Sequence, residues 1–295
     1  MNIYIIVLNF NTLQETLNLV SSIKAIDEEK DNSIKINLVI VDNASTDGSG
    51  TILLNKFSLD TQVAVLINRS NLGFASGNNM GYRYAYARNP DFIIFSNSDV
   101  LIKQNDFFKK LFNLYDKYHF GVCGPDVFNP ITQIHQSPIH FDVSVDTTYT
   151  LKRQLFIYLD WMRILSQIVL KKTVKALSQK HKRKNEYLRQ FKNHHDNACI
   201  HGSFIIFSKK YMKLFPQGIC DKTFMYGEED ILLYFCQANH LSIIYDPTLQ
   251  IEHFEGRSTM KIQKGNLTSL FYKNRLMKQS NKLLKQYVKL KSIHY

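Results

Sequence analysis

The sequence has 295 residues, of which 44% are hydrophobic, and it carries a formal net charge of +12. This hydrophobic content is enough for a folded core and excludes global disorder, while the charge indicates anionic partners such as nucleic acid, an acidic membrane surface or phosphorylated substrates. No apolar run reaches the ~18 residues that a membrane span needs, and the four cysteines show no paired spacing. We therefore expect a soluble or peripheral protein in a reducing cytosol.

Strand-like and helix-like segments alternate along the first 120 residues. Strands are predicted at residues 3–8, 36–41, 63–67 and 92–96, and helices after Thr12 and at residues 73–88 and 107–118. This rhythm predicts an α/β fold with a doubly wound, mainly parallel sheet and flanking helices. There is no G-x-G-x-x-G after the first strand and no P-loop motif. Three glycines spaced four apart, Gly73, Gly77 and Gly81, indicate close helix packing.

Polar residues follow the second and fourth predicted strands. Asp42 and Asn43 come after one strand, and Asn97, Ser98 and Asp99 come after the other. Ligands of parallel α/β sheets bind just beyond the carboxyl ends of the strands. Side chains of this kind can hydrogen-bond a base or ribose and can ligate a cation that holds phosphate oxygens. A helix cap is the alternative for the second group, because Ser and Asp are also good caps.

Two later segments read as basic amphipathic helices. In the insertion at about residues 146–196, lysines and arginines are interleaved with apolar residues at helical spacing, namely Leu151, Leu155, Tyr158, Met162 and Leu165. In the tail, residues 259–295, the basic residues accompany an apolar side made of Leu270, Met277, Leu283, Leu284 and Val288. Such helices suit the surface of an acidic membrane, and two support stable contact better than one. A solvated basic face on ordinary helices is an equal alternative for the insertion.

The second half of the chain contains three consecutive acids, Glu228, Glu229 and Asp230, before an apolar run. Acids are favoured in the first turn of a helix by its dipole. A carboxylate among acids and apolar walls also has a raised pKa and can act as a general base. Further on, His253 is a candidate metal ligand, although a lone histidine is more often structural. The residues His194, His195, Cys199 and His201 match no common zinc module, so a structural zinc site is not expected.

Seven short motifs occur in order along the chain: VLNFN (7–11), VDNASTDGS (41–49), NRSNLGFASGNN (68–79), SNSD (96–99), GSF (202–204), YGEED (226–230) and HFEGRS (253–258). Each is weak alone, but together they resemble the inverting GT-A glycosyltransferases of family 2, in particular the bacterial rhamnosyltransferase-like and capsule-type members. The resemblance runs from Ile3 to about Ser258. It implies a GT-A fold and transfer of a sugar from a nucleoside diphosphate sugar.

The resemblance also implies roles for individual residues on the donor side. Asp42 would bind the base of a UDP- or dTDP-sugar, with Asn9 beside it. Asn71, Gly73 and Asn78 would line the donor pocket.

Metal and catalytic roles are implied in the same way. Asp99 occupies the last acid of the family's D-x-D motif and would bind Mg²⁺ or Mn²⁺, with His253 as a later ligand. Asn97 stands where the fullest form of that motif has Asp, and it is a weaker, neutral ligand in the nucleotide-sugar site. Asp230, paired with Glu229, occupies the place of the catalytic base, and Glu229 is its rival.

The expected organisation follows from these assignments. Residues 1–100 would form the nucleotide-sugar-binding half, residues 101–258 the acceptor-binding half, and residues 259–295 the basic tail. The resemblance implies a lipid-linked saccharide acceptor in bacterial surface polysaccharide synthesis and a cytoplasmic location at the inner face of the plasma membrane. A catalytically degenerate relative and a basic nucleic-acid-binding protein are the alternatives, although no nucleic-acid-reading motif is recognised and the basic residues fall outside the sheet portion.

Overall fold

The structure is a computed structural model that describes residues 1–26, 34–170, 189–254 and 267–295, without the side chains of residues 165–170 and 267–268. In chain order its elements are β1 (Asn2–Asn9), α1 (Leu13–Lys24), β2 (Lys35–Asp42), α2 (Ser49–Lys56), β3 (Val63–Ile67), α3 (Gly73–Tyr86), β4 (Phe92–Asn97), β5 (Val100–Leu101), α4 (Phe107–Tyr118), β6 (Val122–Asn129), β7 (Ile134–Ser137), α5 (Thr147–Leu170), β8 (His195–Asp196), β9 (Phe204–Ser208), α6 (Lys209–Leu214), α7 (Glu228–Ala238), β10 (Ile243–His253) and α8 (Leu267–Leu290). The predicted alternation of strands and helices is confirmed as far as α4.

The described strands form one sheet in the order β3-β2-β1-β4-β9-β6-β10-β5, with β7 beside β6 and β8 beside β10. Strands β3, β2, β1 and β4 are parallel, and beyond them the sheet is mixed because β9 is antiparallel to both β4 and β6. Strand β10 is parallel to β6. The ends of β1, β2, β4 and β10 and the start of β9 therefore lie along one edge of the sheet, here called the carboxyl edge.

Helices cover both faces of this sheet. Helices α1, α2 and α4 bury apolar side chains such as Ile23, Leu53 and Leu111 on one face, and α3 and α7 bury residues such as Tyr82 and Phe235 on the other. The central strands are consequently shielded from water on both sides, which explains their continuous apolar runs. The expectation of a doubly wound α/β sheet with flanking helices is confirmed.

Helix α3 lies very close to β1. A Cβ atom at Gly81 would stand 2.4 Å from Ile6 Cγ2, and one at Gly77 would stand 2.7 Å from Leu8 Cδ1. The glycines therefore permit this approach, as their spacing predicts. Because α3 follows β3 and packs against β1 and β2, its first turn begins at the carboxyl edge.

Some boundaries differ from the sequence prediction. The sequence of residues 198–207 is strand-like and predicts a strand there, but β9 begins only at Phe204. His201 to Ser203 form a turn in which the Phe204 N–H donates to the His201 carbonyl at 3.4 Å. Strand β10 continues past Pro247 to His253 through an irregularity between Asp246 and Gln250. This continuation carries His253 to the carboxyl edge.

The two predicted amphipathic helices form a pair. Asn274 and Asn281 of α8 donate to the carbonyls of Ile157 and Thr150 of α5 at 3.0 and 3.2 Å, so the helices run antiparallel. The apolar side of α8 is largely covered by protein, since Leu284 is fully buried and Met277, Leu283 and Val288 are half-buried. The expectation that this side is available to a membrane is wrong for α8, because it packs on α5 and α7 instead.

Helix α5 has the opposite arrangement. Its outward surface, called the α5 outer face, consists of exposed large apolar side chains: Leu151, Leu155, Phe156, Tyr158, Leu159, Trp161 and Met162. The basic residues 171–184 that the sequence analysis grouped with this helix lie outside the described residues. Within the described ranges, no helix combines the length and hydrophobicity required to span a membrane.

Candidate functional site

The structure brings the predicted site residues together at the carboxyl edge. Asn9 ends β1, Asp42 ends β2, Asn97 ends β4 and His253 ends β10. In the strand register, Asn9 is opposite Asp42, and His253 is opposite Val100. The polar residues that follow apolar strands in the sequence therefore share one edge of the sheet.

Asn9 and Asp42 form the centre of a buried hydrogen-bond network. Asn9 Nδ2 donates to Asp42 Oδ1 at 2.6 Å, while Asn9 Oδ1 accepts from the hydroxyls of Thr12 and Thr16 at 3.0 and 2.9 Å. Ser45 donates to the Asp42 carboxylate through its backbone N–H at 3.0 Å and its hydroxyl at 2.6 Å. Asp42 is only 2% exposed. Its carboxylate therefore fixes the loop after β2, and Thr12 serves this network rather than capping α1.

A second network lies beside it and joins Asn43 to Asn71, a predicted donor-pocket residue, and to Asn68, which the sequence analysis did not assign to the site. Asn43 Nδ2 donates to Asn71 Oδ1 at 3.0 Å, and Asn43 Oδ1 accepts from Asn68 Nδ2 at 3.0 Å. Asn71 also accepts from the Gly73 N–H at 2.9 Å. Gly73 has a φ of +80°, and a Cβ atom there would stand 2.2 Å from the Phe224 carbonyl oxygen. Only glycine fits this position, which explains why the predicted pocket residue has no side chain.

Asn78 is the predicted donor-pocket residue on α3, and it is 1% exposed. Its Nδ2 donates to the Phe74 carbonyl at 3.0 Å. Its Oδ1 is buried and has no hydrogen-bond partner among the described residues. Because buried acceptors normally find a donor, this oxygen is available to a hydrogen-bond donor that the protein chain described here does not supply.

Asp99 and His253 form a buried pair. Asp99 Oδ1 lies 3.2 Å from His253 Nε2, and the two residues are 6% and 3% exposed. The other ring nitrogen of His253, Nδ1, lies 2.8 Å from Gln136 Oε1. The contact with Gln136 fixes the orientation of the imidazole ring, with Nε2 directed at Asp99. Asn97, two residues before Asp99, ends β4 at the same edge and is partly exposed.

A second histidine, His201, lies next to this pair. Its ring centre is 5.5 Å from that of His253, and its Nδ1 lies 2.8 Å from the Ser203 hydroxyl. Burial, with a smaller contribution from His253, lowers the pKa of His201 to about 3. It is therefore a neutral side chain at ordinary pH. Sequence reasoning considered His201 only for zinc and not for this site.

The three acids begin α7, after Gly227 with its φ of +94°. Asp230 is bound from both sides: Arg153 Nε lies 2.8 Å from its Oδ2, and the Tyr149 hydroxyl donates to its Oδ1. Both partners belong to α5. The predicted base thus sits in a buried ion pair, which the sequence could not reveal because Arg153 and Asp230 are far apart along the chain.

Glu228 and Glu229 have a different environment. Glu228 is 4% exposed and accepts from the Thr223 hydroxyl at 2.9 Å. Burial, followed by the charge of Glu229, raises its pKa to about 7. Burial also raises the pKa of Glu229, and the Asp230 carboxylate adds to this effect. Glu229 remains partly exposed.

Glu229 belongs to the same site as the Asp99 pair. A Cβ atom at Gly202 would stand 2.6 Å from Glu229 Oε1 and 3.6 Å from Phe74 Cζ. Gly202 directly follows His201, whose ring lies beside His253. The turn before β9 therefore joins the start of α7 to the ends of β4 and β10.

The residues considered for zinc engage separate partners. His194 Nδ1 lies 3.0 Å from Asp246, and His195 Nδ1 lies 3.0 Å from Asp142. Cys199 is buried with its Sγ 3.8 Å from Asp230 Oδ1. Among the residues described, no group of three or more histidine, cysteine or acidic side chains is arranged to hold a metal ion.

Comparison with known proteins adds independent information. The model of the family described as "Glycosyl transferase family 2" matches residues 4–215. No curated protein matches the sequence significantly. Many solved structures share the fold.

Three of those structures carry nucleotides or sugar nucleotides. TarS 1–349 of S. aureus with UDP-GlcNAc is 13% identical, with 99% of this chain and 72% of that chain covered and a TM-score of 0.53. The mannosyltransferase PcManGT of Pyrobaculum calidifontis with GDP-Man and Mn²⁺ is 13% identical, with coverages of 96% and 73% and a TM-score of 0.54. GalNAc-T7 with UDP, GalNAc and Mn²⁺ is 12% identical, with coverages of 97% and 50% and a TM-score of 0.57. The chain spans 61% of TarS 1–349 in its structure without ligand.

Proposed function

Because the chain belongs to glycosyl transferase family 2, we propose that it transfers a sugar from a UDP- or dTDP-sugar to a saccharide acceptor, with inversion at the anomeric carbon. The observation that carries this proposal is the convergence of three groups at the carboxyl edge. These are the asparagine networks after β2 and β3, the Asp99–His253 pair, and the acids at the start of α7. The bound molecules of the structural relatives, UDP, UDP-GlcNAc and GDP-Man, support a nucleoside diphosphate sugar as donor.

The base and ribose of the donor would bind over the loops that follow β2 and β3. Asp42 and Asn9 would act mainly by holding the first loop, because the Asp42 carboxylate already accepts three hydrogen bonds and is 2% exposed. Asn71 and Gly73 would line the pocket at the start of α3, and Asn78 Oδ1 offers an acceptor without a protein partner.

The residues present fit a divalent cation. Asp99 would supply a carboxylate oxygen, and His253 would supply its imidazole Nε2, whose orientation is secured by Gln136. A ligand histidine held at its other nitrogen by a side-chain oxygen is common in metal sites. Mg²⁺ and Mn²⁺ take few protein ligands and complete their coordination with phosphate oxygens and water. When bound, such an ion would neutralise the charge that develops on the departing diphosphate.

Glu229 is the better candidate for the base, in place of the initially preferred Asp230. Both oxygens of Asp230 already receive hydrogen bonds from α5, whereas Glu229 is partly exposed at the turn beside His201. A raised pKa also makes Glu229 a more effective proton acceptor once it is ionised.

In the proposed reaction, the acceptor hydroxyl transfers its proton to the Glu229 carboxylate while its oxygen bonds to the anomeric carbon. The bond between that carbon and the diphosphate oxygen breaks, and the nucleoside diphosphate leaves with the bonding electrons. The protein chain binds and orients both substrates and holds the transferred proton.

The α5 outer face supports a lipid-linked acceptor and contact with an acidic membrane. Exposed side chains including Phe156 at 63% and Leu159 at 57% would insert among lipids. Lys152 and Arg163 on α5 and the exposed lysines of α8 supply the matching positive charge. This arrangement would hold the enzyme at the cytoplasmic side of a bacterial plasma membrane during the synthesis of a surface polysaccharide.

The transfer itself can be tested with purified protein, Mn²⁺, a panel of UDP- and dTDP-sugars and a lipid extract that contains saccharide-linked lipids. We expect release of intact nucleoside diphosphate and a lipid product that has gained one sugar of inverted configuration. Exchange of labelled pyrophosphate would instead indicate a nucleotidyltransferase. Affinity for RNA or DNA that falls steeply with salt, without binding of any sugar nucleotide, would favour a nucleic-acid-binding protein.

A further inference from the structure

Helix α5 contributes two buried polar side chains to the start of α7. Tyr149 and Arg153 are one helical turn apart and both contact Asp230, Tyr149 through its hydroxyl on Oδ1 and Arg153 through Nε at 2.8 Å from Oδ2. The Arg153 and Asp230 side chains are each 11% exposed. Arg153 is further held by the Met277 carbonyl of α8, which accepts from its Nη1 at 3.4 Å.

The turn that precedes α7 packs closely against the Arg153 side chain. A Cβ atom at Gly227 would stand 2.7 Å from Arg153 Nη2 and 2.8 Å from Ser280 Cβ. Ser280 of α8 donates to the carbonyl of Tyr226. The first turn of α7 is therefore clamped by α5 on one side and by α8 on the other.

We propose that Arg153 and Tyr149 are positioning residues for the transfer reaction, which hold both carboxylate oxygens of Asp230 and so leave Glu229 as the proton acceptor. This inference rests on the proposed function. The two acids have separate roles. Asp230 anchors the start of α7, and Glu229, one residue earlier, faces the turn that contains His201 and Gly202.

The charged and titratable groups around these acids are consistent with that division. Asp230 faces Arg153 and Tyr149 from α5 and Cys199 from the segment before β9. Glu229 is influenced by Asp230, Glu228, Cys199 and Arg153. Among these groups Arg153 is the cation, and it lowers the pKa values of Glu228 and Glu229 against the effect of burial.

A purely structural ion pair is the competing explanation. It would stabilise the fold without setting the proton affinity of Glu229. The two explanations differ in the pH dependence of the reaction, because only a positioning role links the charge at residue 153 to the ionisation of residue 229.

The test compares Arg153→Met, Arg153→Lys and Tyr149→Phe with the wild-type enzyme. The controls are Arg83→Met and Tyr86→Phe, which change exposed residues in the second half of α3, away from the carboxyl edge. For Arg153→Met we expect the ascending limb of kcat/KM to move to higher pH and kcat at neutral pH to fall about 100-fold. KM for the sugar nucleotide should stay unchanged. Arg153→Lys should restore the position of the limb, and Tyr149→Phe should lower kcat less.

A second readout does not need turnover. The carboxyl carbon of Glu229 is followed by NMR in protein labelled with [¹³C]glutamate, with Glu229→Gln used for assignment. We expect Glu229 to titrate above the range of an exposed glutamate in the wild type and higher still in Arg153→Met.

Failures of the two proposals are distinguishable. If no sugar nucleotide is turned over but the titration behaves as expected, the proposed function fails and the electrostatic role of Arg153 stands. If the enzyme is active but Arg153→Met leaves both the pH profile and the Glu229 titration unchanged, the positioning role is wrong. If the Arg153→Met protein does not fold, Tyr149→Phe decides, and it must lower kcat without altering KM.

Discussion

His253 Nε2 lies 3.2 Å from Asp99 Oδ1, and these two residues reach each other from strands that belong to different halves of the sheet. Asp99 follows β4 in the parallel half, whereas His253 ends β10 in the mixed half. The contact between Asp99 and His253 depends on the continuation of β10 past Pro247 and on the pairing of β5 with the last residues of β10. The cation site proposed here therefore requires both halves of the sheet to be assembled.

Gln136 should control the affinity of this site for metal. Its Oε1 lies 2.8 Å from His253 Nδ1, which fixes the orientation of the ring. For Gln136→Met we expect Mn²⁺ to bind about 10–100-fold more weakly in the presence of UDP, since supporting hydrogen bonds of metal ligands have effects of this size. Titration calorimetry measures the change. Gln286→Met, an exposed position on α8, serves as the control, and an unchanged Mn²⁺ affinity in Gln136→Met would speak against the site.

The activity should depend on pH through the acids of α7. A glutamate with a raised pKa is still protonated at pH values where an ordinary glutamate is ionised, and it then cannot accept a proton. We therefore expect kcat/KM to fall as the pH is lowered through this pKa, with a limb that belongs to the Glu228–Glu229 pair rather than to either residue. Glu229→Gln should lower kcat by about 10²–10⁴-fold. Asp116→Asn, which changes an exposed acid on α4, is the control and should leave kcat unchanged. A pH-independent rate would contradict this assignment.

The raised pKa of Glu229 also makes the stability of the protein depend on pH. Because the folded protein binds the Glu229 proton more tightly than the unfolded chain, whose glutamate pKa is near 4.5, this group makes the free energy of unfolding decrease as the pH rises through that interval. Urea titrations at several pH values should show a smaller decrease in Glu229→Gln than in the wild type. An identical dependence in both proteins would mean that the folded and unfolded pKa values are equal.

The packing of α3 on β1 predicts the effect of filling Gly81. A Cβ atom there would stand 2.4 Å from Ile6 Cγ2, so Gly81→Ala should lower the free energy of unfolding by about 1–3 kcal/mol. Arg83→Ala, at an exposed position of the same helix, should change it by less than about 0.5 kcal/mol. Urea unfolding provides both values. A gain of about 1 kcal/mol in Gly81→Ala, as helix propensity alone predicts, would show that the contact is looser.

The α5 outer face predicts membrane binding. Phe156→Glu and Leu159→Glu should weaken binding to acidic phospholipid vesicles at least about 10-fold, because each removes apolar surface and adds a repelled charge. Ile131→Glu, at a 70% exposed position after β6, is the matched control. Sedimentation with acidic and neutral vesicles measures the binding. Equal binding of all variants, or equal binding to both lipids, would rule this surface out.

Much of the fold was predictable from the sequence for a simple reason. Strands covered by helices on both faces must be apolar throughout, so β1, β2 and β4 stand out, and the polar residues that end them mark the carboxyl edge. The spaced glycines of α3 likewise predicted a close helix contact, and the structure shows that its partner is β1. The mixed half of the sheet was harder, because β6 and β7 contain Pro125, Asp126 and other residues atypical of strands.

The details of the site depended on contacts that a linear pattern does not contain. The sequence placed Asp42 after a strand but did not contain the hydrogen bonds that it accepts from Asn9 and Ser45. Arg153 is one of the basic residues of the insertion, which were expected at a membrane or in solvent, yet it is buried against Asp230. An amphipathic pattern shows that a helix has an apolar side but not what covers it. This is why the similar patterns of α5 and α8 lead to opposite exposures.

The most direct test of the account is the melting temperature of the folded protein with UDP, dTDP and their sugars, each with and without Mn²⁺. A ligand that binds the folded state raises the melting temperature by linkage, with about 2.7 kcal/mol of stabilisation at 100 times its Kd. We expect a rise with a UDP or dTDP ligand that depends on Mn²⁺ and disappears in Asp99→Ala. The absence of any rise with the wild-type protein, or a rise that Asp99→Ala retains in full, would contradict a metal-dependent sugar-nucleotide site at the carboxyl edge.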